Sequence, residues 1–212
     1  MNKGIFAMVS GVILFSLIAC SSVVHAAEGT VVSPATTLEN LMAAYNGENN
    51  AHVRYLAFAK KANEEGYDAA ASLFRAAALA EKVHYERHAE VIKKLGGTPN
   101  AVIETPVVKS TPENLEAAFK GETYEKDVMY PEFIKQAEKE NLKDAVDAFE
   151  DAQAAEGVHA GLYGAMVRNL DLSKGLAKDF YVCPVCGNVV DALSRAMCPI
   201  CFTSTKKFVK VK

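Results

Sequence analysis

The sequence contains no tryptophan, and only 8% of its 212 residues are aromatic. Alanine is frequent instead and forms runs at residues 69–71 and 76–78, a composition that favours closely packed helices because alanine has the highest helix propensity. Neither sign of charge dominates: there are 23 Lys and Arg and 26 Asp and Glu, so the net charge of -3 gives no indication of a nucleic-acid surface. With 50% hydrophobic residues, the chain can bury the core of one or two domains.

Long hydrophobic runs are also absent, except at the N-terminus. There, Lys3 precedes an apolar stretch from Ile5 to Ile18, which is typical of an export signal and too short to span a bilayer comfortably. No twin arginine precedes this stretch, so we expect the chain to cross the membrane unfolded and to acquire any metals outside the cytoplasm.

The end of this stretch, Leu17-Ile18-Ala19-Cys20, resembles a bacterial lipoprotein signal. The resemblance implies cleavage before Cys20 and lipidation of its thiol. We therefore predict a signal peptide over residues 1–19, a tether over residues 20–35, and an anchored protein in the periplasm or cell envelope. Cleavage after Ala26 is the alternative and would release a soluble protein.

Four amphipathic segments follow, and their ends carry helix start and stop signals. The prolines between the second and third segments suit a long crossover rather than a tight hairpin, and Pro131 predicts a bend in the third helix. We therefore predict a four-helix bundle over residues 36–170. Its helices are expected from near Leu38, capped by Thr37, to about Glu65; from Asp68 to Gly96-Gly97; from Thr111-Pro112-Glu113 to about Glu140; and from Lys143 to Asn169.

Glutamates recur at matched positions of these helices. Glu48 precedes a Glu81-x-x-His84 pair by 33 residues, and Glu122 precedes a Glu156-x-x-His159 pair by 34. One such pair is most often a solvated stripe, but a repeat of the whole pattern places two ligand sets around a pseudo-twofold axis. Residues three apart share a helix face and can reach one ion. Because each unpaired buried carboxylate costs several kcal/mol, the repeat predicts a two-metal centre that neutralises them.

Three further side chains share these helix faces. Glu125 adds a carboxylate to the third helix, although its spacing also fits a capping or surface acid. His52 and His88 follow Glu48 and His84 by four residues, outside the repeat. We expect both to support the ligands or to lie at the surface rather than to bind metal.

Two Cys-x-x-Cys pairs close the chain, with eleven residues between them. Such knuckles can offer four thiolates to one tetrahedral ion, although structural disulfides are an alternative in an oxidising compartment. Spacing does not distinguish iron from zinc. Gly187 follows the first pair, but Phe202 takes the corresponding place after the second. Two metal sites of different softness in one chain suggest that electrons pass between them.

From about residue 36 to the end, the chain resembles the rubrerythrin family. The resemblance implies a mainly α protein: a ferritin-like four-helix bundle over residues 36–170, followed by a small rubredoxin-like metal domain with four cysteines over residues 179–212. It is carried by Gly47-Glu48, both Glu-x-x-His motifs, the segments 121–125 and 129–132, Cys-Pro-Val-Cys-Gly and Cys-Pro-Ile-Cys.

The resemblance also implies the site residues. His84 is implied to exchange with Glu125 as one iron changes oxidation state, and Tyr55 and Tyr130 match tyrosines that hydrogen-bond near the cluster. A further iron is implied at the cysteines, with zinc possible there. The implied ligands of the di-iron centre are Glu48, Glu81, Glu122, Glu125, Glu156 and His159, and those of the thiolate iron are Cys183, Cys186, Cys198 and Cys201.

The implied activity is the reduction of hydrogen peroxide to water. Electrons would come from a redox donor that the sequence does not name and would pass through the thiolate-bound iron. Because the thiolate domain of one subunit lies near the bundle of another in this family, a homodimer is expected. Two other functions stay open: a ferroxidase that uses oxygen, and a non-catalytic metal-binding lipoprotein with zinc at the cysteines.

Overall fold

The computed structural model describes Met1 and residues 35–212. The predicted signal peptide, the lipidation site Cys20, the alternative cleavage site at Ala26 and nearly all of the predicted tether lie outside the described residues. Residues 35–212 belong to one compact unit. No helix in this described part is both long enough and apolar enough to cross a membrane.

Four long helical arms form a bundle. The third arm consists of two helices, α3 and α4, that are joined by a single π-helical turn. In the described chain the α-helices are α1 (Thr37–Glu64), α2 (Asp68–Lys94), α3 (Thr111–Tyr124), α4 (Tyr130–Lys139) and α5 (Lys143–Arg168), and the π turn is Glu125–Met129.

Capping boxes start two of these helices. Thr36, rather than the predicted Thr37, caps α1: its hydroxyl accepts from the Glu39 N–H while its own N–H donates to the Glu39 carboxylate. Ser110 and Glu113 form the same arrangement at α3, so the cap lies one residue before Thr111, where the predicted helix start begins. The boundaries differ from the prediction because a capping box pairs the cap with a glutamate exactly three residues further along the chain.

The π turn changes the predicted course of the third arm. Pro131 predicts a disturbance of the helix, but the irregular turn begins at Glu125, where the Tyr130 N–H donates to a carbonyl five residues back. Pro131 lies in the first turn of α4, where its missing N–H is tolerated. A π turn takes up one extra residue. This insertion accounts for the unequal spacings in the repeat, 34 residues after Glu122 and 33 after Glu48.

The hydrophobic core has two parts that lie on either side of a polar layer. One cluster includes Tyr55, Phe74 and Tyr163, and the other includes Leu41 and Phe149. Along α1, α2 and α5, small alanines recur in both clusters, and the buried acids lie between them. The polar layer is therefore shielded from water from both ends of the bundle.

A small antiparallel sheet carries the cysteines. Its strands are β1 (Phe180–Val182), β2 (Val189–Val190) and β3 (Val209–Val211), in the order β2-β1-β3. Phe180, Val182 and Val189 are buried in the same hydrophobic cluster as Tyr55 and Phe74 of the helices. The cysteine module therefore packs on the bundle of its own chain through a shared apolar core.

Candidate metal centres

Acidic and imidazole side chains from all four arms meet in the polar layer. All are buried, with at most 2% of their surface exposed. They are Glu48 from α1, Glu81 and His84 from α2, Glu122 from α3, and Glu156 and His159 from α5.

These six side chains form two overlapping groups, and in each group the ligand atoms lie within 4.8 Å of one another. Glu81 and Glu156 belong to both groups, so each can bridge two ions. Glu48 and His84 complete one group, and Glu122 and His159 complete the other. The structure therefore places the two halves of the sequence repeat around a common pair of carboxylates.

The donor atoms fit a pair of iron ions. Glu48 Oε2, Glu81 Oε1 and Glu122 Oε2 are buried and have no hydrogen-bond partner among residues 35–212. A buried unsatisfied acceptor costs about 1–3 kcal/mol, and more when it is charged, so metal coordination would remove a substantial penalty here. Carboxylate oxygen combined with imidazole nitrogen is a donor set that suits iron.

The histidines interact closely with the bridging acids. His84 Nδ1 lies 2.9 Å from both Glu81 Oε2 and Glu156 Oε1, and His159 Nδ1 lies 2.7 Å from Glu156 Oε2. Burial alone would lower the pKa of His84, but the charge of Glu156 prevails and raises that pKa to about 10. Burial would likewise raise the pKa of Glu156, but the charges of His84 and His159 lower it. Protonated imidazoles therefore balance this carboxylate when no metal ion does.

The other acids show the opposite shift. Burial, followed by the charge of Glu156, raises the pKa of Glu48 to about 8 and that of Glu122 to about 7. The same two causes raise the pKa of Glu81 well above its usual range. Protons therefore compete with metal ions for these oxygens, and metal binding should release protons.

Two tyrosines form hydrogen bonds to Glu48 and Glu122, which we call the terminal glutamates because each belongs to only one of the two ligand groups. Tyr55 donates a hydrogen bond to Glu122 Oε1 at 2.6 Å, and Tyr130 donates to Glu48 Oε1. Each phenol crosses to the glutamate of the other repeat half and occupies one oxygen, which leaves Oε2 for a metal ion. Tyr55 follows Glu48 by seven residues, whereas Tyr130 follows Glu122 by eight, because the π turn lies between them.

Glu125 is the predicted ligand that stands apart. It belongs to neither of the two carboxylate and histidine groups in the described part of the chain, and it is only half-buried. Its carboxyl still lies within the field of the cluster, because burial and then the charges of Glu48 and Glu122 raise its pKa well above the usual range. The structure thus places His84, and not Glu125, among the grouped ligands.

The four C-terminal cysteines converge on a second centre. Their sulfur atoms lie within 4.8 Å of one another, with Cys183 Sγ 3.5 Å from Cys201 Sγ and Cys186 Sγ 3.6 Å from Cys198 Sγ. All four are free thiols, so the disulfide alternative is wrong for this fold. Sulfur atoms at these separations fit a tetrahedron around one ion with metal–sulfur bonds of about 2.3 Å.

The two centres are linked by direct contacts. His84 Nε2 lies 3.1 Å from the Cys186 carbonyl oxygen, and His159 Nε2 lies 3.1 Å from the Gly187 carbonyl oxygen. An imidazole that donates from Nε2 keeps Nδ1 for a metal ion. Gly187 has a positive φ of 74°, and a Cβ there would lie 2.3 Å from His84 Nε2. The module of this chain therefore reaches the centre of the same chain, a contact that the family resemblance predicts between two subunits.

Comparison with known proteins identifies this arrangement. The rubrerythrin family matches residues 39–167, more than half of the chain. The chain belongs to the rubrerythrin family. Its helical bundle carries the di-iron ligand groups of that family, and its four-cysteine cluster is consistent with a rubredoxin-type iron site.

Relatives and solved structures agree with this assignment. The chain is 40% identical to nigerythrin of Nitratidesulfovibrio vulgaris over 174 residues, which cover 82% of this chain and 85% of that protein. It is 34% identical to rubrerythrin-2 of Clostridium acetobutylicum over 183 residues, which cover 84% of this chain and 97% of that protein. The structure of nigerythrin in its fully reduced, all-ferrous state matches with a TM-score of 0.78 and 37% identity, and the match covers 87% of this chain and 91% of that one.

Two histidines outside the repeat have different surroundings. His52 Nδ1 lies 2.6 Å from the Ala78 carbonyl oxygen in a partly buried position. His88 is fully buried, with Nε2 3.1 Å from the Tyr130 hydroxyl. Spacing along α2 placed His88 on the ligand face, but Tyr130 comes from an arm that is 42 residues away. Gly187 and His84 are likewise far apart along the chain, so spacing does not predict their contact.

Proposed function

We propose that this member of the rubrerythrin family is a peroxidase that reduces hydrogen peroxide to water at the di-iron site. The observation that carries the proposal is the contact of the Cys186 and Gly187 carbonyl groups with His84 and His159. These hydrogen bonds join the thiolate knuckle to one imidazole of each ligand group. A thiolate-bound iron in this place is suited to returning electrons to the bundle.

When bound, the two irons supply the two electrons that, with two protons, convert hydrogen peroxide to two water molecules. The protein's part is to fix the ligands around them. Tyr55 and Tyr130 hold one oxygen of Glu122 and of Glu48, so each carboxylate presents its other oxygen in a defined direction. The hydrophobic clusters on both sides of the layer limit access of water, which strengthens electrostatic interactions within it.

His84 and Glu125 are suited to alternate as ligands. His84 stands in a ligand group while Glu125 stands beside it, on the π turn. A harder oxygen donor favours the higher oxidation state, and imidazole is the softer of the two. We therefore propose that Glu125 replaces His84 upon oxidation, with His84 retained near the site by its bond to Cys186.

The distinguishing experiment uses the reduced full-length protein under anaerobic conditions. A ferric tetrathiolate has strong visible colour that fades on reduction, so its return reports reoxidation. Fast return with hydrogen peroxide and slow return with air are expected. The reverse order would favour the ferroxidase, and a colourless protein with zinc at the cysteines would favour a non-catalytic metal-binding role.

A variant of Glu125 tests the ligand exchange itself. Glu125→Ala should lower peroxide turnover while metal analysis still finds iron in the bundle, because the two ligand groups do not include this side chain. Glu132→Ala is the control, since this acid lies on the same arm but in neither group. Unchanged turnover in Glu125→Ala would remove the assigned role.

We also propose that the protein is exported and anchored through lipid on Cys20, as its N-terminal sequence indicates. Mass spectrometry of protein from the membrane fraction should find a lipid-modified Cys20 at the N-terminus, and Cys20→Ser should release the protein from the membrane. A mature N-terminus at Ala27 would instead support the alternative cleavage. The homodimer is a separate prediction from the family resemblance, which sedimentation of the purified protein tests.

A further inference from the structure

A buried hydrogen-bonded chain leads from α2 to the metal-binding layer. His88 Nε2 lies 3.1 Å from the Tyr130 hydroxyl, and that hydroxyl bonds to Glu48 Oε1. All three side chains are completely buried. His88 itself belongs to neither ligand group, so its effect on the metals must pass through Tyr130.

The direction of each hydrogen bond in this series follows from the donors and acceptors that take part. Tyr130 donates its only proton to Glu48, so its oxygen must accept the bond from His88. His88 therefore carries its proton on Nε2, and burial keeps the ring neutral by lowering its pKa to about 3. Its Nδ1 has no hydrogen-bond partner among the described residues. The His88 N–H therefore fixes the orientation of the Tyr130 hydroxyl.

The other half of the repeat has no histidine at the matching position. His88 follows His84 by four residues, and the residue at the same offset from His159 is Tyr163. In the described structure the Tyr163 hydroxyl has no partner, and its ring packs against Tyr55 at a centroid distance of 5.7 Å. The two terminal glutamates are thus held by similar phenols with different neighbours. The neutral imidazole of His88 donates to Tyr130, whereas Tyr55 has the Arg54 guanidinium beside it, with the guanidinium carbon 5.5 Å from the ring centroid.

Packing alone does not explain a histidine at this position. The His88 ring lies 5.5 Å from Phe149 and 6.0 Å from Tyr130 by centroids, in an aromatic and aliphatic cluster. An unsatisfied buried Nδ1 is destabilising, whereas an apolar side chain of similar size would carry no such penalty. The bond from Nε2 to Tyr130 is what the imidazole adds.

We propose that His88 is a positioning residue that fixes the Tyr130 proton on Glu48 Oε1 and so reserves Glu48 Oε2 for the ion bound with His84. The inference rests on the proposed di-iron function and deepens it. It makes the two metal positions unequal although their ligand types are the same. The metal position that includes His84, where ligand exchange is proposed, is the one whose glutamate, Glu48, is held by Tyr130 and His88.

The test compares His88→Leu with His88→Gln. The glutamine amide can place a donor near the position of Nε2, but leucine cannot donate. Fe²⁺ is titrated anaerobically by calorimetry into full-length protein whose thiolate site is already filled. Loss of an outer hydrogen bond to a ligand typically costs about 10–100-fold in metal affinity, so His88→Leu should weaken one of the two sites by about that factor. His88→Gln should stay close to the parent protein.

Two controls separate positioning from a general packing effect. In a Tyr130→Phe background, His88→Leu should cause no further loss, because the bond that links His88 to Glu48 is already gone. Tyr163→Phe, at the matching position of the other half, should leave both affinities unchanged. Thermal unfolding of the metal-free variants should show His88→Leu folded and at least as stable as the parent.

Three results would overturn the proposal: equal affinities in His88→Leu and the parent, equal weakening by Leu and Gln, or a full effect of His88→Leu in the Tyr130→Phe background. The titration uses no peroxide. Failure of the peroxidase proposal would therefore leave these affinities as they are, whereas failure of the His88 proposal would not alter the reoxidation order of the parent protein.

Discussion

Gly187 offers a direct perturbation of the contact between the two metal centres. Its φ of 74° lies in the left-handed region, and an added Cβ would lie 2.3 Å from His84 Nε2 and 2.8 Å from His84 Cδ2. Both atoms belong to a ring that is buried against the ligand layer, so the ring cannot simply swing away. Gly187→Ala should therefore push the thiolate knuckle off the bundle.

The size of the effect follows from three parts. A left-handed conformation costs an alanine about 1 kcal/mol. Displacement would also break the bonds from His84 to Cys186 and from His159 to Gly187, each worth about 1 kcal/mol net. The sum of about 3 kcal/mol corresponds to a fall in Tm of about 6–12 °C in a protein of this size.

The matched control is Gly96→Ala. Gly96 has a φ of 81°, and no atom of the part of the chain that the structure describes lies within 4 Å of an added Cβ, so this variant measures backbone strain without a clash. Its expected loss is about 1 kcal/mol. Chemical unfolding measures the loss of unfolding free energy in both variants. The loss in Gly187→Ala minus the loss in Gly96→Ala is the part due to the contact between Gly187 and His84.

The functional assay follows two colour changes in Gly187→Ala. Reduction of the ferric thiolate site by dithionite should keep its parental rate, because the four cysteines are unchanged. In the proposed function, peroxide reoxidises that site through electron flow into the bundle, so this reoxidation should be slower than in the parent and in Gly96→Ala. Equal reoxidation rates and equal stability in the two glycine variants would refute the reasoning about this contact.

Three further outcomes are expected. Glu48 and His84 have folded-state pKa values of about 8 and about 10, above their ordinary 4.5 and 6.5, so the metal-free folded protein binds more protons at these groups than the unfolded chain. This stabilising effect is lost as pH rises through those values, so the Tm of chelator-treated protein should fall between about pH 5 and 10; a rise would contradict the assigned shifts. Phe202→Gly should raise the free energy of unfolding by about 1 kcal/mol, because Phe202 has a left-handed φ of 59° that glycine adopts without strain, and its 70% exposed ring contributes little packing. A denaturant midpoint no higher than the parent's would count against this. Cys198→Ser should abolish the ferric thiolate colour while metal analysis still finds two irons in the bundle, because the two centres share no ligand. Loss of bundle iron would show that the two centres do not bind their metals independently.

Local sequence patterns predict the helices of the bundle and the faces that carry its ligands. The repeat of a glutamate before a Glu-x-x-His pair placed Glu81 and Glu156 on inward faces, because residues three apart on a helix share one side. The same reasoning predicts the irregularity of the third arm at Pro131, whereas the π turn begins at Glu125. Pro131 is visible in the sequence as a helix breaker, but the change to π geometry at Glu125 depends on packing of the arm and has no comparable local mark.

The sequence by itself determined the two ligand sets and the four thiols, since their spacing within helices and knuckles fixes which side chains can share an ion. Only the tertiary structure decided which groups support those ligands: Tyr130 and His88 behind Glu48, and the Gly187 knuckle beside His84. These contacts join residues that are distant along the chain. Their distances depend on how the helices and the cysteine module pack, which a local spacing pattern does not specify.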